Sequence, residues 1–322
     1  MNTEALAELA NVAVAAATVV LAVAWLTHLV EWAAARELRP STSAQTAALV
    51  TAGAAGSAPA PPDDGAARRH PSRADQIGRI GLALTVLGTA LLAAGVIARG
   101  AAAGRAPWGN MYEFAVAGAL IVLLTYLALV VRAGIAWLAP LVTGFVVIVL
   151  GLSILVYVPA GPLVPALDSY WLVLHVAAAA IAGAAFVVGA GTSALYLVKE
   201  RAETRTGAPI TSGLLGRLPT TAAMDRLAFQ VHAFAFPLWT FAALIAGPIW
   251  AQNAWGRYWG WDPKEVWAFI TWVVYAGYLH ARATAGWRGR GAAVLALVGF
   301  LTFLFNFIGI NLFGSGLHSY AF

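Results

Sequence analysis

Along most of this chain the apolar positions run together instead of alternating with polar ones. Eight mostly apolar stretches, near 9–31, 79–98, 111–131, 135–158, 171–197, 227–250, 266–282 and 291–313, are separated by short polar segments. A stretch of about 20 such residues is what a helix needs to cross a hydrocarbon core of roughly 30 Å. In lipid every backbone N–H and C=O must be satisfied internally, so only helices or closed barrels span. Runs this long and this continuous are helices. The fold expected is therefore all-α, a polytopic integral membrane protein with about eight transmembrane helices. The first run is flanked by Glu4 and Glu8, not by basic residues, and is too long for a cleaved signal. It is expected to stay as an anchor.

Composition agrees with the pattern. The chain is 61% hydrophobic and 10% charged, whereas soluble domains carry about 25% charged residues. Charge placement adds an orientation. One alternate set of loops (32–79, the turn at Arg132, 198–226 and 282–290) holds every Lys and Arg except Arg99, Arg105, Arg257 and Lys264. The positive-inside rule makes that set cytoplasmic. Both termini and the segment 250–265 are then expected outside the cell membrane. The basic pI of about 9.7 follows from this asymmetry and calls for no nucleic acid. With no cysteine, the chain forms no disulfide and does no thiol chemistry itself. Residues 36–76 are rich in Ala, Ser, Pro and Gly, with Pro59, Pro61 and Pro62 at their centre. They read as a disordered cytoplasmic linker. It divides an N-terminal helix (1–35) from a membrane core (77–322).

The chemistry is concentrated in one place. Residues 250–272 hold six tryptophans. Rings at a membrane surface can anchor in headgroups, or they can wall in a flat apolar ligand. Histidines bear on the choice. His175 lies five residues into the fifth run, roughly 7 Å below the outer surface, and His318 follows the last run on the same side. His280 is 15 residues past Glu265, about 22 Å deeper. A metal–nitrogen bond is only about 2 Å long, so His280 cannot share an ion with the outer pair. Taken singly, each intramembrane histidine can also be a helix–helix hydrogen bond, the reading favoured for His28 and His232. His70 falls in the linker.

No Asp/Glu cluster accompanies these histidines, so a hard cation is disfavoured. Haem b suits them better: its iron takes two axial imidazoles and its edges want aromatic walls. The candidate wall is Trp255, Tyr258, Trp259, Trp261 and Trp267. Arg257 and Lys264 are candidates for the propionates, with snorkelling to headgroups the alternative. Asp262-Pro-Lys-Glu265 has the form of a capping box that opens a helix, and Asn110-Met-Tyr-Glu113 has the same form. No residue is assigned as an acid–base catalyst.

The string Trp255-Gly-x-Tyr-Trp-x-Trp-Asp-Pro-Lys-Glu265, with Trp267 and Tyr278-Leu-His280-x-Arg282, resembles the WWD signature of haem-handling proteins. Gly314-Ser-Gly-Leu-His318-Ser-Tyr320, Trp108-Gly-Asn-Met-Tyr-Glu113 and Ser169-Tyr-Trp-Leu-x-Leu-His175 are similar to the System II branch of cytochrome c biogenesis, the CcsA/ResC type. The likeness covers about 77–322. It implies that haem is received near the cytoplasmic side and presented outside between His175 and His318. It also implies that His280 is a transmembrane ligand whose partner lies in a CcsB/ResB-type protein. The complex would then act as a holocytochrome c synthase, joining haem to an apocytochrome c bearing Cys-x-x-Cys-His, with thiols kept reduced by other proteins. Two rival readings are a haem exporter or chaperone that forms no bonds, and a haem-containing electron-transfer protein. A proton-relay transporter is the least favoured.

Overall fold

The computed structural model describes residues 2–36, 72–163, 165–313 and 316–317. Among these residues there are helices and turns but no strand. Long helices α1 (Thr3–Arg36), α2 (Arg73–Ala103) and α3 (Met111–Ala133) come first, followed by α4 (Ala139–Ser153) and α5 (Tyr170–Thr206). A short helix α6 (Gly213–Arg217) precedes α7 (Thr221–Thr240), which continues through a π-helical segment, Phe241–Ala246, into α8 (Gly247–Trp255). Helix α9 spans Pro263–Thr284. Helix α10 (Arg290–Leu304) passes through a second π-helical segment, Phe305–Gly309, into α11 (Ile310–Phe313).

Seven helical stretches are long and apolar enough to cross a membrane, so this is a multi-pass membrane protein. The eighth expected run, 266–282, forms most of α9, which is not among the seven. Lys264, Glu265, His280 and Arg282 near its ends make it more polar. Its 22 residues still reach about 33 Å. The expected linker lies almost wholly outside the described residues. Helix α2 begins at its far end, at Arg73, where Ser72 and Asp75 form a capping box.

With little hydrophobic drive between helices in lipid, close backbone approach has to supply contact. Helices α1 and α2 lie along one another, and a Cβ on Gly88 would stand 2.6 Å from Leu21 Cγ. Buried residues of α1 to α5, α7, α9 and α10 join in one core. There Phe186 and Tyr275 stack with centroids 4.0 Å apart and planes 2° from parallel. His232 is fully buried beside them, its Nδ1 donating 2.6 Å to the Ala228 carbonyl. His28 is buried between Glu31 and Thr85, 3.3 Å from each.

Ion pairs fasten the two ends. At one end Arg282 holds Asp225 with two bonds of 2.8 and 3.0 Å, and Arg217 reaches Asp75 at 2.7 Å. At the other, Glu113 is sandwiched between Arg99 Nε (2.9 Å) and Arg105 Nη1 (2.7 Å). Arg99 also donates to the Val158 carbonyl and Arg105 to the Gly161 carbonyl. This buried group clips the 104–110 loop to the 157–161 loop, at the end where α3, α5 and α9 all begin.

Candidate functional site

Three helices start around one opening, each with its own cap. Asn110 Oδ1 accepts from Glu113 N, Ser169 Oγ from Trp171 N and Asp262 Oδ1 from Lys264 N. Helix N-termini carry partial positive charge, so this rim favours anionic groups. Beneath it lies a cavity of about 220 Å³, or about 1500 Å³ with its open mouth included. Ala115, Gly118 and Ala119 of α3 face Ala179, Gly183 and Ala184 of α5 along its sides. Small residues on both helices are what leave the space. His175, Trp250, Trp255, Tyr258, Trp259 and Lys264 line the part nearest the 255–265 loop.

The π segment positions His175. Its register gives Gly247 N–H a bond to the Ala242 carbonyl, and the same carbonyl takes His175 Nδ1 at 2.8 Å. A carbonyl only accepts, so Nδ1 carries a proton, and in the neutral tautomer the lone pair is on Nε2. That is the tautomer a metal ligand needs, with its outer-shell acceptor in place. Trp250 stacks on the imidazole at 6.1 Å and 15°, and Trp255 meets Trp250 edge to face at 4.7 Å. A Cβ at Gly247 would stand 3.1 Å from His175 Nδ1, so the imidazole would have to give way slightly to any larger residue there.

The loop is held by its carboxylates. Glu265 accepts from the amides of Gly260 (2.8 Å) and Asp262 (3.1 Å), completing a capping box with Asp262. Asp262 Oδ2 accepts the Leu317 amide at 2.7 Å, tying the C-terminal segment to the loop. His318, the next residue, lies outside the described residues. Trp261 is held at φ +57°, a left-handed conformation rare for a bulky side chain.

Not every candidate gathers here. Trp261 is 67% exposed and touches Trp259 edge to face at 5.8 Å. Trp267 packs on Phe305 at 4.2 Å. Neither lines the cavity, and nor does the exposed Arg257. Lys264 does, half-buried, and the loss of water pushes its ammonium down to about 8 despite nearby Asp262. His280 is exposed on α9, roughly 24 Å along the helix from Lys264. Glu113 does not return the cap of Asn110. Two guanidinium groups and the Gly109 amide take its carboxylate instead. The Ala242 carbonyl, Trp250 and the Arg99–Glu113–Arg105 clasp were not singled out from the sequence. Trp250 belongs to the tryptophan cluster, but a π register has no residue signature to read. Among the described residues no three His, Cys, Asp or Glu side chains gather as a metal cage.

The same stretch of chain is what known proteins share. Residues 108–318 match the family model for cytochrome c assembly proteins. This chain belongs to the CcsA family of cytochrome c biogenesis proteins. The CcsA protein of Synechococcus sp. (strain CC9902) is 37% identical over 265 residues, covering 74% of this chain and 85% of the relative. Similarity to CcsA of Chlamydomonas reinhardtii is 42% over 163 residues, 51% of this chain but 44% of that protein. For CcsA of Microcystis aeruginosa it is 39% over 204 residues, 50% of this chain and 62% of the relative. The family's matched span takes in the cavity, its histidine and the whole tryptophan loop.

Proposed function

We propose that the cavity receives haem b as a substrate and presents it on the outer face of the cell membrane for attachment to apocytochrome c. His175 and His318 are the two axial ligands in this reading. The observation that carries it is the His175 imidazole: it lines an aromatic cavity with Nδ1–H committed to the Ala242 carbonyl. Leu317 supports the second ligand, because its amide is bound to Asp262 of the same loop, and adjacent Cα atoms are about 3.8 Å apart. The residues fit the group. Trp250, Trp255 and Trp259 supply flat apolar walls, and Lys264 with three helix N-termini supplies positive charge for carboxylates. The chain has no cysteine, and among the described residues no carboxylate cage gathers.

What these side chains do is position. His175 fixes one face of the bound ring, and the tryptophans restrict its rotation, so that each vinyl group meets one thiol of a Cys-x-x-Cys-His segment. Orientation of this kind can replace much of an activation barrier. In each attachment a cysteine S–H adds across a vinyl C=C: an S–C bond forms, the proton goes to the other carbon, and no net oxidation occurs. The thiols must arrive reduced, since this chain has no cysteine. His280, exposed on α9, is left to meet a CcsB/ResB-type partner near the cytoplasmic side. The distribution of Lys and Arg supports an outward-facing loop.

The test is reconstitution of the full chain with its partner, haem and a Cys-x-x-Cys-His apocytochrome. Thioether product that disappears in His175→Ala supports the reading. Haem uptake without product would reduce the role to that of a carrier, and no His175-dependent uptake would remove haem from the site.

A further inference from the structure

The polar groups on the cavity wall are not equally engaged. His175 is bound to Ala242, and Glu265 to loop amides. Neither the Lys264 ammonium nor the Asn306 carboxamide has a hydrogen-bond partner among the described residues. Asn306 Oδ1 is buried and unsatisfied. Such a group costs folding free energy and is rare in native proteins. Asn306 interrupts an otherwise apolar wall made by Phe303, Leu304 and Phe307. It also lies on the π-helical segment Phe305–Gly309, and π segments inside α-helices concentrate at functional sites.

Its place in the cavity is defined by its neighbours. Phe305 packs on Trp267, one turn along α9 from Lys264. Ala268, the next residue, lines the cavity with Asn306 and Lys264. A carboxamide and an ammonium lining the same cavity are complementary to a carboxylate. The ammonium supplies charge, and the amide supplies two N–H donors once it is oriented to present Nδ2. Propionates are the carboxylate-bearing arms of haem b.

We propose that Asn306 is a carboxylate anchor which, with Lys264, holds a propionate of the tetrapyrrole inside the cavity and so sets the rotation of the ring. This rests on the reading of the cavity as a haem site. It distinguishes the propionate edge from the vinyl edge, which has no hydrogen-bonding group. A ring held by one carboxylate at Asn306 and Lys264 points its remaining edge away from α9 and α10.

The experiment titrates the purified full-length protein with ferric haem and with its dimethyl ester, following the Soret band. Wild type, Asn306→Leu and Asn306→Ala are compared, with His175→Ala as the site control. The diacid is expected to bind wild type more tightly than the diester. Asn306→Leu should weaken the diacid roughly tenfold or more, the scale of a hydrogen bond to a charged group. It should leave the diester within about twofold, since no such bond is lost there. The leucine should also raise the thermal midpoint of the ligand-free protein, because it removes an unsatisfied buried oxygen. Equal weakening of both ligands in both variants would make Asn306 a matter of shape and overturn the anchor. Unchanged diacid affinity would overturn it too. If neither ligand binds wild type in a His175-dependent way, the haem reading itself falls, and the anchor with it.

Discussion

Asp262 joins two functions that a matched pair of substitutions can separate. One carboxylate oxygen caps α9 through Lys264 N, and the other holds the Leu317 amide at 2.7 Å. Asp262→Ala removes both. The cap is worth about 1 kcal/mol. A hydrogen bond to a charged group is worth about 1.5–3 kcal/mol. If the Leu317 tether brings His318 to the cavity, its loss lowers haem affinity by the same free energy, roughly 10- to 150-fold at about 1.4 kcal/mol per decade. Glu265→Gln is the matched control: it weakens the capping box, keeps the tether, and should change affinity only a few-fold. The assay is a Soret titration of the detergent-purified chain, with thermal melting in parallel to register the cap. Asp262→Ala that melts lower yet binds haem with wild-type affinity would refute the coupling between the tether and the site.

Gly247→Ala places a Cβ 3.1 Å from His175 Nδ1 and 3.0 Å from the Ala242 carbonyl, so the imidazole must shift. Haem spectra should show weakened axial ligation while the helical content by circular dichroism stays unchanged. Arg99→Met leaves the buried Glu113 with one guanidinium partner, and breaking a buried pair costs about 3–5 kcal/mol; thermal melting should fall sharply. With its ammonium near 8, Lys264 is charged below that pH and neutral above it. Its help to an anionic ligand is therefore complete at pH 7 and fades as the solution is raised past 8, the bound carboxylate delaying the loss. Lys264→Met should bind haem more weakly at pH 7, and its deficit relative to wild type should shrink by pH 10. His280→Ala should leave binding of haem added from outside unchanged and lower the haem that copurifies with the partner complex.

Much of the architecture was legible because membrane crossing imposes one requirement, length of apolar run, and seven of the eight runs satisfy it as helices. The run at 266–282 shows the limit: it is helical, yet its charged ends set it apart. Capping was equally legible at Asp262 and Glu265, where the local sequence is the whole mechanism. Glu113 read the same way locally but its carboxylate went to Arg99 and Arg105, partners 14 and 8 residues away whose approach depends on how two loops meet. The tryptophan cluster announced a site without saying which rings face it. Trp250, about one and a half turns before the loop in its own helix, stacks on His175, while Trp261 and Trp267 turn elsewhere. The Ala242 carbonyl was beyond reach of sequence reasoning, since any residue type supplies one. Asn306 was not: an amide within an apolar run points to function in a membrane helix.

The most direct test of the central claim is the optical and electron paramagnetic resonance spectrum of ferric haem bound to the purified full-length chain without its partner protein. It would be recorded for wild type, His175→Gly and His318→Gly, each with and without added imidazole. Two-imidazole ligation in this cavity predicts a low-spin ferric signal in wild type, its loss in either variant, and its return when imidazole fills the missing position. A low-spin spectrum that survives both substitutions unchanged would contradict the account.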